Sequence, residues 1–319
     1  MKTSKKINII SGLQRASGLF LLILVATIFT LLSDRFLTVS NLTNIALQTS
    51  VVAIATIGMT LTMLTAGIDL SVGSIAALSG ALVAGFMTRN NLPMPLAIAL
   101  GIAIGSSLGA INGILTVYGK LPPFVSTLAM LGVARGFTLV YTEGRPISGL
   151  DKAFTFLGSG YLGPVPMPVV IWIAILLILF FILKYTKFGL YMYAIGGNEE
   201  TARLAGIPTN RIKVIVYALS GALASITGIL LTARLWSAQP QMAAGLELDA
   251  IAASVLGGVS LFGGVGSVVG ASIGALIVGM LGNGLNLLRV PSYYQQVIKG
   301  VVFILAVIFD MYAKRQAKK

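Results

Sequence analysis

The sequence predicts an all-α polytopic membrane protein, a single transmembrane domain over residues 1–319 with about ten transmembrane helices. Two observations carry this. Of the residues, 56% are hydrophobic and only 10% charged, whereas a soluble domain has about a quarter charged. The apolar residues also fall into ten runs, 18 to 32, 42 to 66, 70 to 88, 94 to 117, 123 to 142, 166 to 184, 212 to 235, 249 to 262, 267 to 288 and 294 to 311. Most approach the roughly 20 residues that a helix needs to cross about 30 Å of hydrocarbon.

The first run follows Lys2, Lys5, Lys6 and Arg15 and resembles a signal peptide. Residues 33 to 41 (SDRFLTVSN) offer no small-x-small cleavage site, so it reads as an uncleaved span. Cations then orient the rest, because Lys and Arg gather in short cytoplasmic loops. With the N-terminus inside, fourteen of the 22 lie on the cytoplasmic side, five outside and three (Arg135, Arg234, Lys299) in or near spans. Both termini are therefore expected to be cytoplasmic.

The halves echo each other. GIDLSVGSIAALSG (67 to 80) aligns with GLELDAIAASVLGG (245 to 258), GSSLGA (105 to 110) resembles GASIGA (270 to 275), and LPPF (121 to 124) resembles VPSY (290 to 293). An offset of five spans is odd, so the halves, roughly 42–142 and 212–311, would form an inverted repeat. Such repeats place a substrate path at their interface near the midplane. Small-residue stretches such as 73 to 85 and 263 to 284 suit close helix packing in lipid.

One charged island, residues 185 to 213 (YTKFGLYMYAIGGNEETARLAGIPTNRIK), interrupts the apolar pattern and is expected in the cytoplasm. Within it Asn198 is an N-cap, Glu199 and Glu200 occupy the first turn, Arg203 comes late, Gly206 takes the C′ position and Pro208 forbids continuation. Two turns do not hold alone in water, so something must support this helix. It reads either as a capped surface turn or as a docking helix for a soluble partner.

The carboxylates nearest the apolar runs are Asp69, Glu247 and Asp249. A carboxylate in the membrane marks a path, a pair or a gate; Asp69 equally suits capping of a helix starting near Ser71. Asn112, Asn283, Asn286, Gln48 and Gln295 offer the donor-and-acceptor pairs that polyhydroxylated ligands need, and interhelical hydrogen bonds would use them equally well. Candidate translocation-path residues are therefore Asp69, Ser71, Asn112, Glu247, Asp249 and Asn283. Arg135 and Lys299 are placed to pair with carboxylates or to snorkel, and Trp172, Trp236, Tyr293 and Tyr294 read as interfacial anchors.

Several chemistries drop out. The +13 charge is spread over span ends rather than gathered on one surface, which argues against nucleic acid. GILTVYGKL (113 to 121) has five residues between its glycines and Leu where a phosphate loop needs Ser or Thr, so any ATPase is another chain. With no Cys and no His, neither a thiolate, a metal cluster nor the usual catalytic base is available, and no cofactor or enzyme activity is expected.

Several stretches together resemble the permease subunits of bacterial ATP-binding-cassette importers for monosaccharides, those for ribose above all. They are FLTVSNLTNIALQTS (36 to 50), GMTLTMLTAGIDLSVGSIAALSG (58 to 80), YAIGGNEETARLAGI (193 to 207), ARLWSAQP (233 to 240), ELDAIAASVLGG (247 to 258) and GNGLNLL (282 to 288). The resemblance implies two permease copies in the bacterial inner membrane, ABC ATPase subunits below, and an extracytoplasmic sugar-binding protein above. It also implies that Glu200, Ala202 and Gly206 match a coupling-helix pattern, which favours docking for Asn198 to Gly206. Residues 89 to 95 and 142 to 168 depart from the pattern, in loops that would meet the binding protein. An ion-coupled sugar carrier would instead use Asp69 as its titrating site, an importer of autoinducer-2 or another sugar would share the architecture, and a receptor scaffold would carry no flux.

Overall fold

The computed structural model describes residues 18–317, so the cations at Lys2, Lys5, Lys6, Arg15, Lys318 and Lys319 lie outside the described residues. Among the described residues thirteen helices form the body, beginning with α1 (Gly18–Leu32). Then come α2 (Val39–Leu64), α3 (Val72–Thr88), α4 (Met94–Val117) and α5 (Pro123–Thr142). After α6 (Lys152–Ser159) follow α7 (Met167–Tyr185), α8 (Lys187–Gly197), α9 (Glu199–Leu204) and α10 (Thr209–Leu235). The chain closes with α11 (Leu246–Leu256), α12 (Val268–Leu287) and α13 (Ser292–Ala317). Four two-residue strands tie loops together: β1 (Ile147–Ser148) pairs antiparallel with β4 (Ser237–Ala238), and β2 (Tyr161–Leu162) with β3 (Val165–Pro166).

Helix starts follow local chemistry. Pro stands in the first turn of α4, α5 and α7, where its missing N–H has no intrahelical partner to lose. Thr38 and Ser267 cap α2 and α12 through their side chains. Six helices (α2, α4, α5, α7, α10 and α12) are long and apolar enough to cross a membrane, and α1 and α3 are shorter apolar helices. A helix occupies each of the ten apolar runs, although α11 fills only the first part of 249 to 262.

The bundle is layered around α2, α3 and α10, whose apolar residues are buried nearly all round. By contrast, α4, α5 and α7 bury one stripe and expose Leu, Phe and Val on the other, as peripheral helices do in lipid. Backbones touch where residues are small. A Cβ on Gly109 of α4 would run into the backbone of Tyr217, and one on Gly221 of α10 into that of Gly105. Likewise, Gly228 of α10 lies against the backbone of Ala76 in α3. Lipid offers no hydrophobic driving force between helices, so such close approach supplies the packing.

Two expectations need correction. The charged island holds two helices, since α8 precedes the two-turn helix and buries Gly189, Met192 and Ile195. Residues 142 to 168 are not simply an outward loop, because α6 buries Phe154 and sets Gly158 against the backbone of Ala233 and Arg234.

Candidate functional site

The helix α9 has both ends specified locally, the first by a side chain and the second by a glycine turn. Asn198 Oδ1 accepts the Thr201 amide at 2.9 Å. At the other end the Gly206 amide donates to Arg203 O at 3.0 Å and the Ile207 amide to Ala202 O at 3.1 Å, with Gly206 at φ 81°. This is the Schellman arrangement, which glycine enters without a Cβ clash. Ala202 is buried and anchors the helix, whereas Glu199, Glu200, Arg203 and Leu204 are exposed. Lys213 on α10 holds Glu199 at 2.9 Å, and Arg203 binds Glu200 at 2.7 Å. The hydrogen bond from Arg203, then its charge, holds the Glu200 carboxyl below its usual range. Support comes from α8: Gly196 and Gly197 pack on Gly263 and Gly264, and the Gly264 amide reaches Leu64 O at the end of α2 at 3.0 Å. A solvent-facing helix thus rests on loops joined to α2 and α12.

Asp69, Ser71 and Asn112, three of the expected path residues, come together at the break between α2 and α3. Asp69 is fully buried. Its Oδ1 accepts the Ser71 amide at 3.0 Å and the Ser71 hydroxyl at 2.5 Å, and Oδ2 accepts the Ser220 hydroxyl at 2.7 Å. Asn112 Nδ2 donates to Ser71 Oγ at 2.8 Å. The N-cap of α3 is Ser71, with no side-chain cap bond, so Asp69 serves the turn before the helix rather than capping it. The carboxylate ties this break to α10 through Ser220, and the Ser71 hydroxyl ties it to α4 through Asn112. Ser220 escaped the sequence reading because a lone Ser in an apolar helix carries no signal.

Glu247 and Asp249 lie in the first turn of α11, entered through Gly245 at φ 81°. The Ala243 carbonyl and Glu247 carboxylate occupy the space above Gly73 at the start of α3, so the two similar segments meet there. Arg135 donates to Pro240 O at 2.8 Å and Met242 O at 3.1 Å and lies within electrostatic reach of Glu247. Lys299 of α13 pairs with Asp249 at 2.8 Å. That pair, with Gln296, Gly245, Leu248 and Phe303, lines a cavity of about 580 Å³ between α11, α12 and α13.

Asn283 lies apart from this cavity. It forms a reciprocal amide pair with Asn41 across α2 and α12, both bonds at 2.9 Å, which is the interhelical use of an amide. Trp172 corrects the expected anchor: it is buried and donates to Ser272 Oγ at 3.3 Å, whereas Trp236, Tyr293 and Tyr294 are exposed. Three hydroxyl pairs carry no signal in the sequence: Thr60 with Ser254 at 3.2 Å, Ser79 with Ser225 at 2.8 Å and Thr116 with Ser126 at 2.8 Å. Among the described residues no group of His, Cys, Asp and Glu is arranged to hold a metal ion.

A helical bundle built for lipid, with charges in its interior and a supported polar knob at one end, defines a polytopic membrane transport subunit. Residues 41–307 match the family model described as branched-chain amino acid transport system / permease component, and the chain belongs to that family. It is accordingly a transport component rather than an enzyme. The chain is 48% identical over 302 residues to the ribose import permease protein of Escherichia coli K12, covering 93% of this chain and 94% of the relative. The ribose import permease protein of Bacillus subtilis 168 is 48% identical over 295 residues, covering 92% and 90%. The D-allose transport system permease protein of Escherichia coli K12 is 40% identical over 293 residues, covering 91% and 90%. No solved structure matches the chain.

Proposed function

We propose that the chain is the membrane-spanning permease of an ATP-driven monosaccharide importer in the bacterial inner membrane, and that its substrate is ribose. The sugar assignment rests on relatives named for ribose import at 46% to 48% identity over most of both chains. In this reading a partner ATPase docks on α9 through Asn198, Glu199, Glu200, Ala202, Arg203 and Gly206. An extracytoplasmic binding protein delivers the sugar from the other side, and two copies of the chain pair in the bilayer.

The observation that carries the reading is α9 itself. A helix of six residues is too short to persist unaided, yet its caps, ion pairs and glycine contacts hold it rigid while its acidic face stays in water. Force applied there passes through Gly196, Gly197 and Gly264 to the ends of α2 and α12. On this account ten spans place both termini in the cytoplasm, and the domain divides into inverted halves over residues 42–142 and 212–311. The meeting of Gly73 with Ala243 and Glu247 supports that symmetry. Glu247, Asp249 and the cavity beside Lys299 are the favoured part of the path, while Asp69, Ser71, Asn112 and Asn283 brace it.

The test is reconstitution into sealed vesicles without an ion gradient, together with candidate ATPase and binding proteins. Labelled ribose is expected to accumulate with ATP, and xylose, galactose and autoinducer-2 to accumulate less. Uptake that requires an ion gradient would establish a secondary carrier instead, and absence of flux with every combination would leave a receptor scaffold.

A further inference from the structure

A groove runs up the side of the molecule where α7, α8 and α12 converge, next to the loops that carry α9. Its wider part, about 570 Å³, is lined by Phe180, Lys184, Thr186, Leu190, Ser267 and Val268. A narrower part of about 270 Å³ shares Phe180 and Ser267 and continues along Leu19, Val269 and Ile273. The two adjoin at Phe180 and Ser267, and the wider part, which holds Lys184 and Thr186, is the more polar.

The polar end is positive. Lys184 stands in the last turn of α7 with its ammonium 5.2 Å from the ring centres of both Phe180 and Tyr185. The three ion pairs among the described residues do not include it. Opposite lies the first turn of α12, a helix of 20 residues whose dipole favours an anion, although Ser267 Oγ already accepts the Gly270 amide at 3.0 Å. Lys184 lines the groove beside Phe180, and no carboxylate among the described residues forms an ion pair with it.

We infer that this groove holds an anionic glycerophospholipid, its phosphate between Lys184 and the start of α12 and an acyl chain along Leu19, Val269 and Ile273. Placing that lipid in the cytoplasmic leaflet rests on the orientation proposed above. A headgroup alone would leave the apolar extension empty of partners, and a zwitterionic lipid would bring a second cation to Lys184. The occupant would also touch Tyr193, whose hydroxyl donates to Gly266 O at 3.0 Å and whose helix leads directly into α9. The lipid therefore braces the base of the coupling helix.

The full chain in phosphatidylcholine nanodiscs, doped with a phosphatidylglycerol carrying a photoreactive acyl chain, tests this. Both leaflets carry the probe, so the site is read whatever the orientation or substrate. Adducts are expected on peptides from α1, the end of α7 and the start of α12. Lys184→Gln should lower them about five-fold, the factor one basic residue contributes near an anionic surface, and Lys184→Arg should restore them. Equal labelling by a matched phosphatidylcholine probe would overturn the inference, as would unchanged labelling in Lys184→Gln. Displacement of the probe by inorganic phosphate would overturn it too, by assigning the polar end to a free anion.

Discussion

Replacing Asp69 separates a bracing carboxylate from a titrating transport site. In Asp69→Ala three donors lose their acceptor: the Ser71 amide and the hydroxyls of Ser71 and Ser220. Hydrogen bonds to a charged group are worth about 1.5–3 kcal/mol each, and buried donors left unpaired keep that cost. Removing the buried charge returns part of it, so the net destabilisation should fall near 3–4 kcal/mol. Asp69→Asn keeps one acceptor oxygen and should lose about half as much. Reversible unfolding of the purified variants in mixed micelles, followed by the two tryptophans, reads both values. In Asp69→Asn, transport should fall only as far as the folded fraction falls. A fully stable Asp69→Asn with no uptake would refute the bracing role and assign Asp69 to ion coupling.

Gly109→Leu should destabilise by about 1–3 kcal/mol or more, since even its Cβ meets the Tyr217 backbone. Gly132→Ala, with nothing within 4 Å, should leave the melting temperature in detergent unchanged or raised. Disruption of the Asp249–Lys299 pair should follow double-mutant logic: Asp249→Asn and Lys299→Met each slow ribose uptake, and the double variant slows it less than the two effects combined. Additive losses would detach the pair from the path. The Glu200–Arg203 contact is present above the usual carboxylate range and is lost as pH falls through the depressed Glu200 value. Protection of the α9 amides, taken relative to the intrinsic exchange rate at each pH, should therefore fall in that acidic window, and Glu200→Gln should remove the part of the fall that belongs to the Arg203 contact.

Much of this was legible in the sequence because lipid imposes long apolar runs and water reclaims every interruption. The caps of α9 were readable since Asn198 and Gly206 act within a few residues of themselves. What stayed hidden was long-range or short in sequence. Ser220 meets Asp69 across 151 positions, and no local pattern marks it. The eight residues of α6 sit among turn-forming glycines and prolines, and the glycines of α8 disguise a helix too short to span. Trp172 was misread because an aromatic residue at the end of a run looks alike whether it faces headgroups or Ser272. The path residues illustrate the same limit: residue type put Asn283 with Asp249, and only the packing separates an amide pair from a cavity wall.

The central claim is that α9 faces the cytoplasm and receives work from a separate ATPase. The chain contains no cysteine, so Glu200→Cys provides a single reporter. A membrane-impermeant maleimide should label it in inside-out vesicles, bound ATPase should block that labelling, and the same reagent should leave right-side-out vesicles unmodified. Labelling from the outer side, or labelling indifferent to the ATPase, would contradict the account.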